Sequence, residues 1–309
     1  EYKKPDLKPL LGATATVGAS DIGISMEGPI GEKTTFIASA RRSYLQFLFS
    51  VLGLPFLPTY NDFQTKVRYR PDNKNEFYFT GIGAIDNFSL NLEANETPEQ
   101  RFTLDNIPVN KQWTYTNGFV YKRYQERGYW TFVLSRNMLN NSAVKYLNND
   151  ESDPDNLILN YRSQEIENKF RVENVTRWGS WKFSGGAGYQ FVRYNNSTFN
   201  RLFLPTGPTT VDYETNIDFH KYALFGQFSR GFLSSALTAS AGFRLDGNSF
   251  SEEMQNPLPQ FSPRLSLSYL LAPNWKLNFN TGIYYQLPPY TALGYQEDGV
   301  FINRQNGID

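Results

Sequence analysis

From Phe261 to Tyr290 apolar and polar side chains alternate with a period of two, and this rhythm recurs along the chain. On the first arm Leu265, Leu267, Tyr269 and Leu271 share one face, with Arg264, Ser266 and Ser268 on the other. That period belongs to a half-apolar β-strand. On the second arm Trp275, Leu277, Phe279, Thr281, Ile283 and Tyr285 oppose Lys276, Asn278, Asn280, Gly282 and Gln286. Ala272-Pro273-Asn274 between the arms has room only for a tight turn, so the unit is an antiparallel hairpin. Each arm is about 10 residues or longer, the length a tilted strand needs to cross a hydrocarbon layer.

Taken in order, the pattern predicts strands over 13–28, 34–49, 63–70, 76–92 (faces unassigned) and 111–125. Others follow from Trp130, over 163–178, from Trp181, over 218–231 and over 236–247, before the hairpin above. That makes about a dozen strands, joined in up-and-down order. Tight turns are expected near 30, 73, 127, 179, 234 and 273. The intervening connections, 50–59, 93–110, 140–162, 193–216 and 248–260, read as longer loops. Short turns at one end and long loops at the other are the signature of an outer-membrane barrel. Within Ala40-Arg41-Arg42-Ser43 the two arginines must take opposite faces, so one is expected near a membrane interface. There the cost of a lipid-facing Arg falls from about 2–4 kcal/mol to about 0–1.

Composition sharpens this all-β reading. Aromatics make up 16% of the 309 residues while mean hydropathy is −0.50, and no apolar run is long enough for a transmembrane helix. A transmembrane antiparallel β-barrel combines these features, because half of each strand meets lipid and half a wet lumen. Tyr44, Trp113, Trp130, Trp178, Trp181, Trp275 and Tyr285 are then expected as interfacial girdles. Propeller blades and sandwiches want shorter strands and more frequent turns. Thirty basic and thirty acidic residues balance to zero, so no nucleic-acid partner is indicated. The chain has no cysteine, which excludes disulfides and thiol chemistry. Glu1-Tyr2-Lys3-Lys4-Pro5 lacks the pattern of a signal peptide, and mature sequence or an interior piece is expected.

Candidate chemistry is sparse. Asp150, Glu151, Asp153 and Asp155 could offer oxygens to calcium, but they lack ordered spacing and Pro154 interrupts them, so a solvated loop is expected. His220 is the single histidine. Its neighbours Phe219, Lys221 and Tyr222 supply no orienting carboxylate, so it reads as a strand-end residue on the surface or in the lumen rather than part of a hydrolase. No enzyme activity, cofactor or metal is expected.

Two stretches carry a family resemblance. Gly28-Pro29-Ile30-Gly31-Glu32-Lys33-Thr34-Thr35-Phe36, continuing through Ala40-Arg41-Arg42-Ser43-Tyr44-Leu45, resembles the early barrel segment of TonB-dependent outer-membrane receptors of the Bacteroidetes type. Phe261-Ser262-Pro263-Arg264-Leu265-Ser266, with Trp275-Lys276-Leu277 and Tyr284-Tyr285-Gln286-Leu287-Pro288-Pro289-Tyr290, is similar to a mid-barrel hairpin of the same family. The resemblance implies a barrel of about 22 strands around a plug, in the outer membrane of a Gram-negative cell. It implies import of a ligand caught by extracellular loops and driven by a TonB-type energy-coupling protein acting on the plug. Membrane lipid and lipopolysaccharide would surround it, and a surface lipoprotein partner is left open.

No plug or TonB box stands ahead of Glu1, and Gln305-Asn306-Gly307-Ile308-Asp309 is no aromatic-terminated strand. Residues 1–309 are therefore expected to be part of one receptor barrel domain, with no plug in this segment. Ligand contacts are expected on 93–110, 140–162, 193–216 and 290–309, with Tyr290 and Tyr295 as candidates for stacking on a sugar ring. Two alternatives stand beside this reading. One is a self-contained barrel of about 12 strands acting as a pore or an outer-membrane hydrolase; the other is a receptor-like barrel serving as a structural or assembly component.

Overall fold

The structure is a computed structural model and describes residues 10–234 and 236–305. Thirteen strands form one sheet in which every strand pairs with its sequence neighbours. The pairing is antiparallel throughout. The first seven are β1 (Gly12–Val17), β2 (Asp21–Ile30), β3 (Thr34–Ser43), β4 (Phe56–Tyr69), β5 (Asn75–Leu90), β6 (Val109–Gln125) and β7 (Gly128–Tyr146). The rest are β8 (Leu157–Trp178), β9 (Trp181–Leu204), β10 (Gly207–Phe232), β11 (Leu237–Asn248), β12 (Ser262–Ala272) and β13 (Trp275–Gly282). This is the up-and-down order that the hairpin rhythm predicts.

The register assigns every strand side chain to a face, since directly opposed residues lie on the same side of a sheet. One ladder row reads Tyr121, Phe132, Val172, Ala187, Leu224 across β6 to β10; the next reads Phe119, Leu134, Phe170, Tyr189, Tyr222. Elsewhere in the sheet Phe63, Phe79, Phe228, Leu265 and Phe279 belong to the same apolar face. These side chains stand open: Leu134 is 60% exposed, Leu224 51% and Leu277 67%. So large a bare apolar surface is not what a water-soluble sheet presents, and it matches the lipid side of a barrel. The opposite face carries Lys66, Arg68, Glu76, Lys122, Glu167, Arg171 and Arg244. The faces of β5, unassigned from sequence, follow from register, with Phe77, Phe79 and Ile85 on the apolar side.

Tight turns fall where the sequence placed them. Gly179 and Ser180 alone close β8 onto β9, with Gly179 at φ +55°, where any side chain is strained. Trp178 opposes Trp181 across that turn on the apolar face, as a girdle requires. The two arginines take opposite faces: Arg41 pairs with Asp62 at 2.8 Å on the polar side. Arg42, one residue from the end of β3, donates to Asn61 at 3.5 Å on the apolar side.

Several expectations are corrected. Residues 13–28 are two strands: the Gly18 N–H donates to the Asp21 carbonyl at 2.8 Å and β1 folds back onto β2. Gly18-Ala19-Ser20 interrupts no hydrophobic pattern, so this turn is silent in the sequence. The second predicted strand stops at Ser43, before α1 (Leu45–Val51). Residues 93–110 contain α2 (Pro98–Asn106), started by a capping box in which Thr97 and Gln100 each bond the other's backbone N–H. Leu271 leaves the alternation of Leu265, Leu267 and Tyr269, because the register shifts between Leu270 and Ala272.

The largest correction concerns 140–162 and 193–216. Most of the first and nearly all of the second are strand, and only Pro205 and Thr206 separate β9 from β10. A hydrogen-bond ladder is indifferent to side-chain polarity. Once a hairpin rises past the apolar belt, water wets both faces and the alternation that reveals a strand fades. The ladder continues regardless, pairing Asn195 with Asn216 and Asn196 with Thr215.

Candidate functional site

The polar face concentrates its charge on β8, where Glu165, Glu167, Lys169, Arg171 and Glu173 occupy alternate positions and so project together. Glu167 accepts from Lys169 at 2.5 Å and lies 3.6 Å from the Lys221 ammonium, two strands away on β10. The phenol of Tyr290 completes this node, donating to Glu167 and accepting from Lys221. The ammonium also sits 4.6 Å from the centre of the Tyr290 ring, a favourable placement over its π face.

Beside the node a recess of about 640 Å³ opens on the polar face. Gly188 and Gly242 help to line it, and the absence of their side chains gives it depth. Phe225 stands between two guanidinium groups, Arg171 at 5.5 Å and Arg244 at 5.9 Å from its ring centre. Arg244 is held by a bidentate pair with Asp246 at 2.6 and 2.7 Å, and Arg171 by Glu173. The lining contains five bases, Lys169, Arg171, Lys221, Arg244 and Arg264, against the two acids Glu173 and Asp246. Glu167, just outside the lining, pairs with both lysines, so the recess keeps a modest excess of positive charge and leans toward anionic groups.

Above the node the polar face turns apolar. Val192, Tyr194, Ile217 and Phe219 are buried there with Phe250 and Leu293, and Leu287, Tyr290 and Phe301 pack against them. Residues 287–303 cover this patch as a strap containing α3 (Tyr290–Leu293), β14 (Gln296–Glu297), β15 (Val300–Phe301) and the start of α4 (Ile302–Gln305). Gly294 seats the strap: Thr215 donates to its carbonyl at 2.5 Å, and a Cβ there would meet Thr215 and Tyr194 at 2.8 and 2.9 Å. Burying a side chain such as Leu293 contributes roughly 1.5–3 kcal/mol.

The fold separates the residues that the sequence put forward. Tyr290 is half-buried in the node. Tyr295 sits on the same strap, edge-on to Tyr213 at 5.6 Å, with its hydroxyl donated to Glu297 at 2.9 Å. The strap thus brings both tyrosines to the polar face, while residues 306–309 of the expected ligand segment lie outside the described residues. α2 joins the same end of the sheet, where Gln100 donates to the Gly53 carbonyl at 2.7 Å and Lys145 donates to the Leu104 carbonyl. His220 is exposed on the apolar face, its Nδ1 2.7 Å from the Tyr189 hydroxyl. Asp150 accepts from Ser152 and Asp153 from the Asp155 N–H; the Ser152 bonds hold the Asp150 carboxyl below its usual range. Among the described residues no three acidic or histidine side chains converge as a metal site.

Sequence reasoning did not single out Glu167, Lys221 or Phe225. The run of charges at every second position of β8 was the available signal. The strap contact was not, because it joins residues 123 apart in sequence.

The profile of the family described as "TonB dependent receptor-like, beta-barrel" matches residues 42–307. No curated protein matches the chain in sequence. Among solved structures, a mutant of the ferric enterobactin receptor PfeA from Pseudomonas aeruginosa superposes with a TM-score of 0.64 at 14% identity, covering 92% of this chain and 44% of that one. The copper transporter OprC gives 0.65 at 12% identity, covering 94% and 48%. The RagAB peptide importer in its "closed-closed" state gives 0.56 at 10% identity, covering 85% and 36%. At such identities the likeness is one of fold, and the chain spans less than half the length of these solved chains.

Proposed function

Because the chain belongs to the TonB-dependent receptor-like β-barrel family, we propose that it forms part of the wall of an energy-coupled importer in a Gram-negative outer membrane. The observation that carries this reading is the division of the sheet: bare apolar rows on one side, charges at alternate positions on the other. β1 and β13 each pair on one edge only in the thirteen-strand sheet, and open edges are not tolerated in lipid. Further strands, to a total of about 22, would close the cylinder around a plug.

In this reading the tight turns face the periplasm, and the end bearing α1, α2 and the β9–β10 hairpin faces outward. The polar face lines the conduit. Its recess, with five bases against two acids in the lining and Glu167 beside two of the bases, retains a modest positive excess that suits a ligand carrying anionic groups. Tyr290 and Tyr295 are ligand contacts on the strap, and the ring of Tyr295 beside Tyr213 is the better presented. Coupling runs through a plug to a TonB-type protein. Residues 28–45 support a receptor of the Bacteroidetes type, and a surface lipoprotein partner belongs to the same reading.

Topology can be tested by single cysteines, since this chain has none of its own. With cysteine at Ser197, Leu224 or Phe279, a membrane-impermeant maleimide added to intact cells should label only the Ser197 position. A lipid-soluble maleimide should reach the other two. Labelling of Leu224 and Phe279 by the impermeant reagent would overturn the barrel reading.

A further inference from the structure

The apolar face changes character in register. Beyond Phe119–Leu134–Phe170–Tyr189–Tyr222 comes Asn117–Arg136–Asn168–Phe191–His220, and after that a row in which Arg193 pairs with Asp218 at 2.7 Å. On β9 and β10 hydrocarbon therefore ends near Phe191 and His220, although Tyr115, Met138 and Ile166 carry apolar character one row further on β6 to β8. The next row reads Trp113, Asn140, Gln164, Asn195, Asn216, and above it stand Lys111, Ser142, Arg162, Ser197 and Glu214. These two rows contribute most of the lining of a recess of about 1000 Å³. On β9 and β10 it begins two rows past the belt, roughly 13 Å along the strands.

Its floor is a chain of three amides. The Asn195 side chain donates to Gln164 at 3.4 Å, and Gln164 donates to Asn140 at 3.0 Å. The two ends are left over: Asn140 Nδ2 and Asn195 Oδ1 are buried without a hydrogen-bond partner. Turning all three amides around reverses the chain but still leaves one donor at one end and one acceptor at the other. The ends lie two strand spacings apart, roughly 10 Å, with the Trp113 ring next in line.

We propose that this recess binds adjoining sugar residues of the oligosaccharide carried by the outer-leaflet glycolipid. The inference rests on the membrane orientation proposed above. A pyranose offers hydroxyls that both donate and accept, matching the ends of the amide chain. It also offers a C–H face that settles on an aromatic ring. Phosphate recognition would need a surplus of bases, whereas Lys111 and Arg162 are balanced here by Glu151 and Glu214. A protein partner would need a largely apolar patch, whereas apart from Val109, Trp113, Val144 and Tyr146 the lining is polar or charged. Small rotations of Asn140 and Asn195 would present the spare groups to the ligand.

The test uses protein purified from outer membranes in mild detergent and fluorescent lipopolysaccharide as probe. Competitors are its deacylated oligosaccharide and its lipid anchor stripped of that oligosaccharide. Tight binding, competition by the free oligosaccharide and none by the anchor are expected, with Trp113→Ala and Gln164→Ala each weakening binding at least tenfold. Trp113 is 46% exposed, so its variant remains informative if Gln164→Ala fails to fold. Unchanged binding by Trp113→Ala, or competition by the anchor alone equal to that of the intact glycolipid, would overturn the site. Absence of the protein from the outer-membrane fraction would instead overturn the orientation on which the inference rests.

Discussion

Glu167 and Lys221 face each other across β9 at 3.6 Å, and the hydroxyl of Tyr290 bonds both. The pair belongs to the wall and the phenol to the strap, so a wall charge pair doubles as the anchor of a segment far along the chain. Side-chain exposure of 14% for Glu167 and 25% for Lys221 leaves water little room to replace a lost partner.

Tyr290→Phe should therefore loosen the strap without disturbing the sheet. Hydrogen bonds to charged groups contribute about 1.5–3 kcal/mol, and that loss should appear as faster amide exchange over 287–303. Exchange in β8, β9 and β10 should stay slow. Equal acceleration in strap and strands would contradict the division.

Gly128 opens β7 directly after a two-residue turn. A Cβ there would lie 1.8 Å from the Val175 carbonyl oxygen, which backbone pairing holds in place. Gly128→Ala should destabilise by about 1–3 kcal/mol, read as a lower urea midpoint for the shift between folded and unfolded gel mobility. Gly118→Ala, whose Cβ would meet only Ser135 Cβ at 3.8 Å, is the matched control and should unfold with the parent.

These residues also show where sequence reasoning holds and where it stops. Alternation reported the apolar face wherever one side of a strand meets lipid, as at Phe119, Leu265 and Phe279. It fell silent at Asn195 and Asn216, where both sides are wet, and at Gly18, where small residues turn without breaking a pattern. The buried patch around Val192 and Phe219 escaped notice because its partner, Leu293, comes from a segment that alternation cannot place. The amide chain of Asn140, Gln164 and Asn195 needed the register itself, since three residues on three strands share no sequence spacing.

At the β4–β5 turn Asp72 accepts from the Lys74 N–H at 2.7 Å, the Asn75 N–H at 2.8 Å and the Asn75 amide at 2.7 Å. The Asn75 amide, followed by the Lys74 N–H, holds its carboxyl below the usual range. A depressed carboxylate supports the turn above its unfolded pKa, about 3.9, and withdraws that support as pH falls through the lower folded value. The Lys74 and Asn75 amide shifts should thus stay constant from pH 7 to about 5 and move only below about pH 4. Movement centred above the ordinary carboxylate range would refute the assignment.

The apolar face predicts a height-dependent penalty for charge. Leu224 lies in the row of Phe132 and Val172, inside the belt, whereas His220 lies two rows further up β10, beside Phe191 where polar side chains begin. An arginine at the first site must hold its guanidinium in hydrocarbon or bend the bilayer to reach water; at the second it reaches headgroups directly. The costs are about 2–4 kcal/mol near the midplane and about 0–1 at the interface. Leu224→Arg should accordingly reduce the folded fraction in lipid vesicles sharply, while His220→Arg leaves it near that of the parent. Detergent, which deforms around a charge, should narrow the gap. Were the apolar face covered by protein instead of lipid, both arginines would be costly and the choice of vesicle or detergent would not matter.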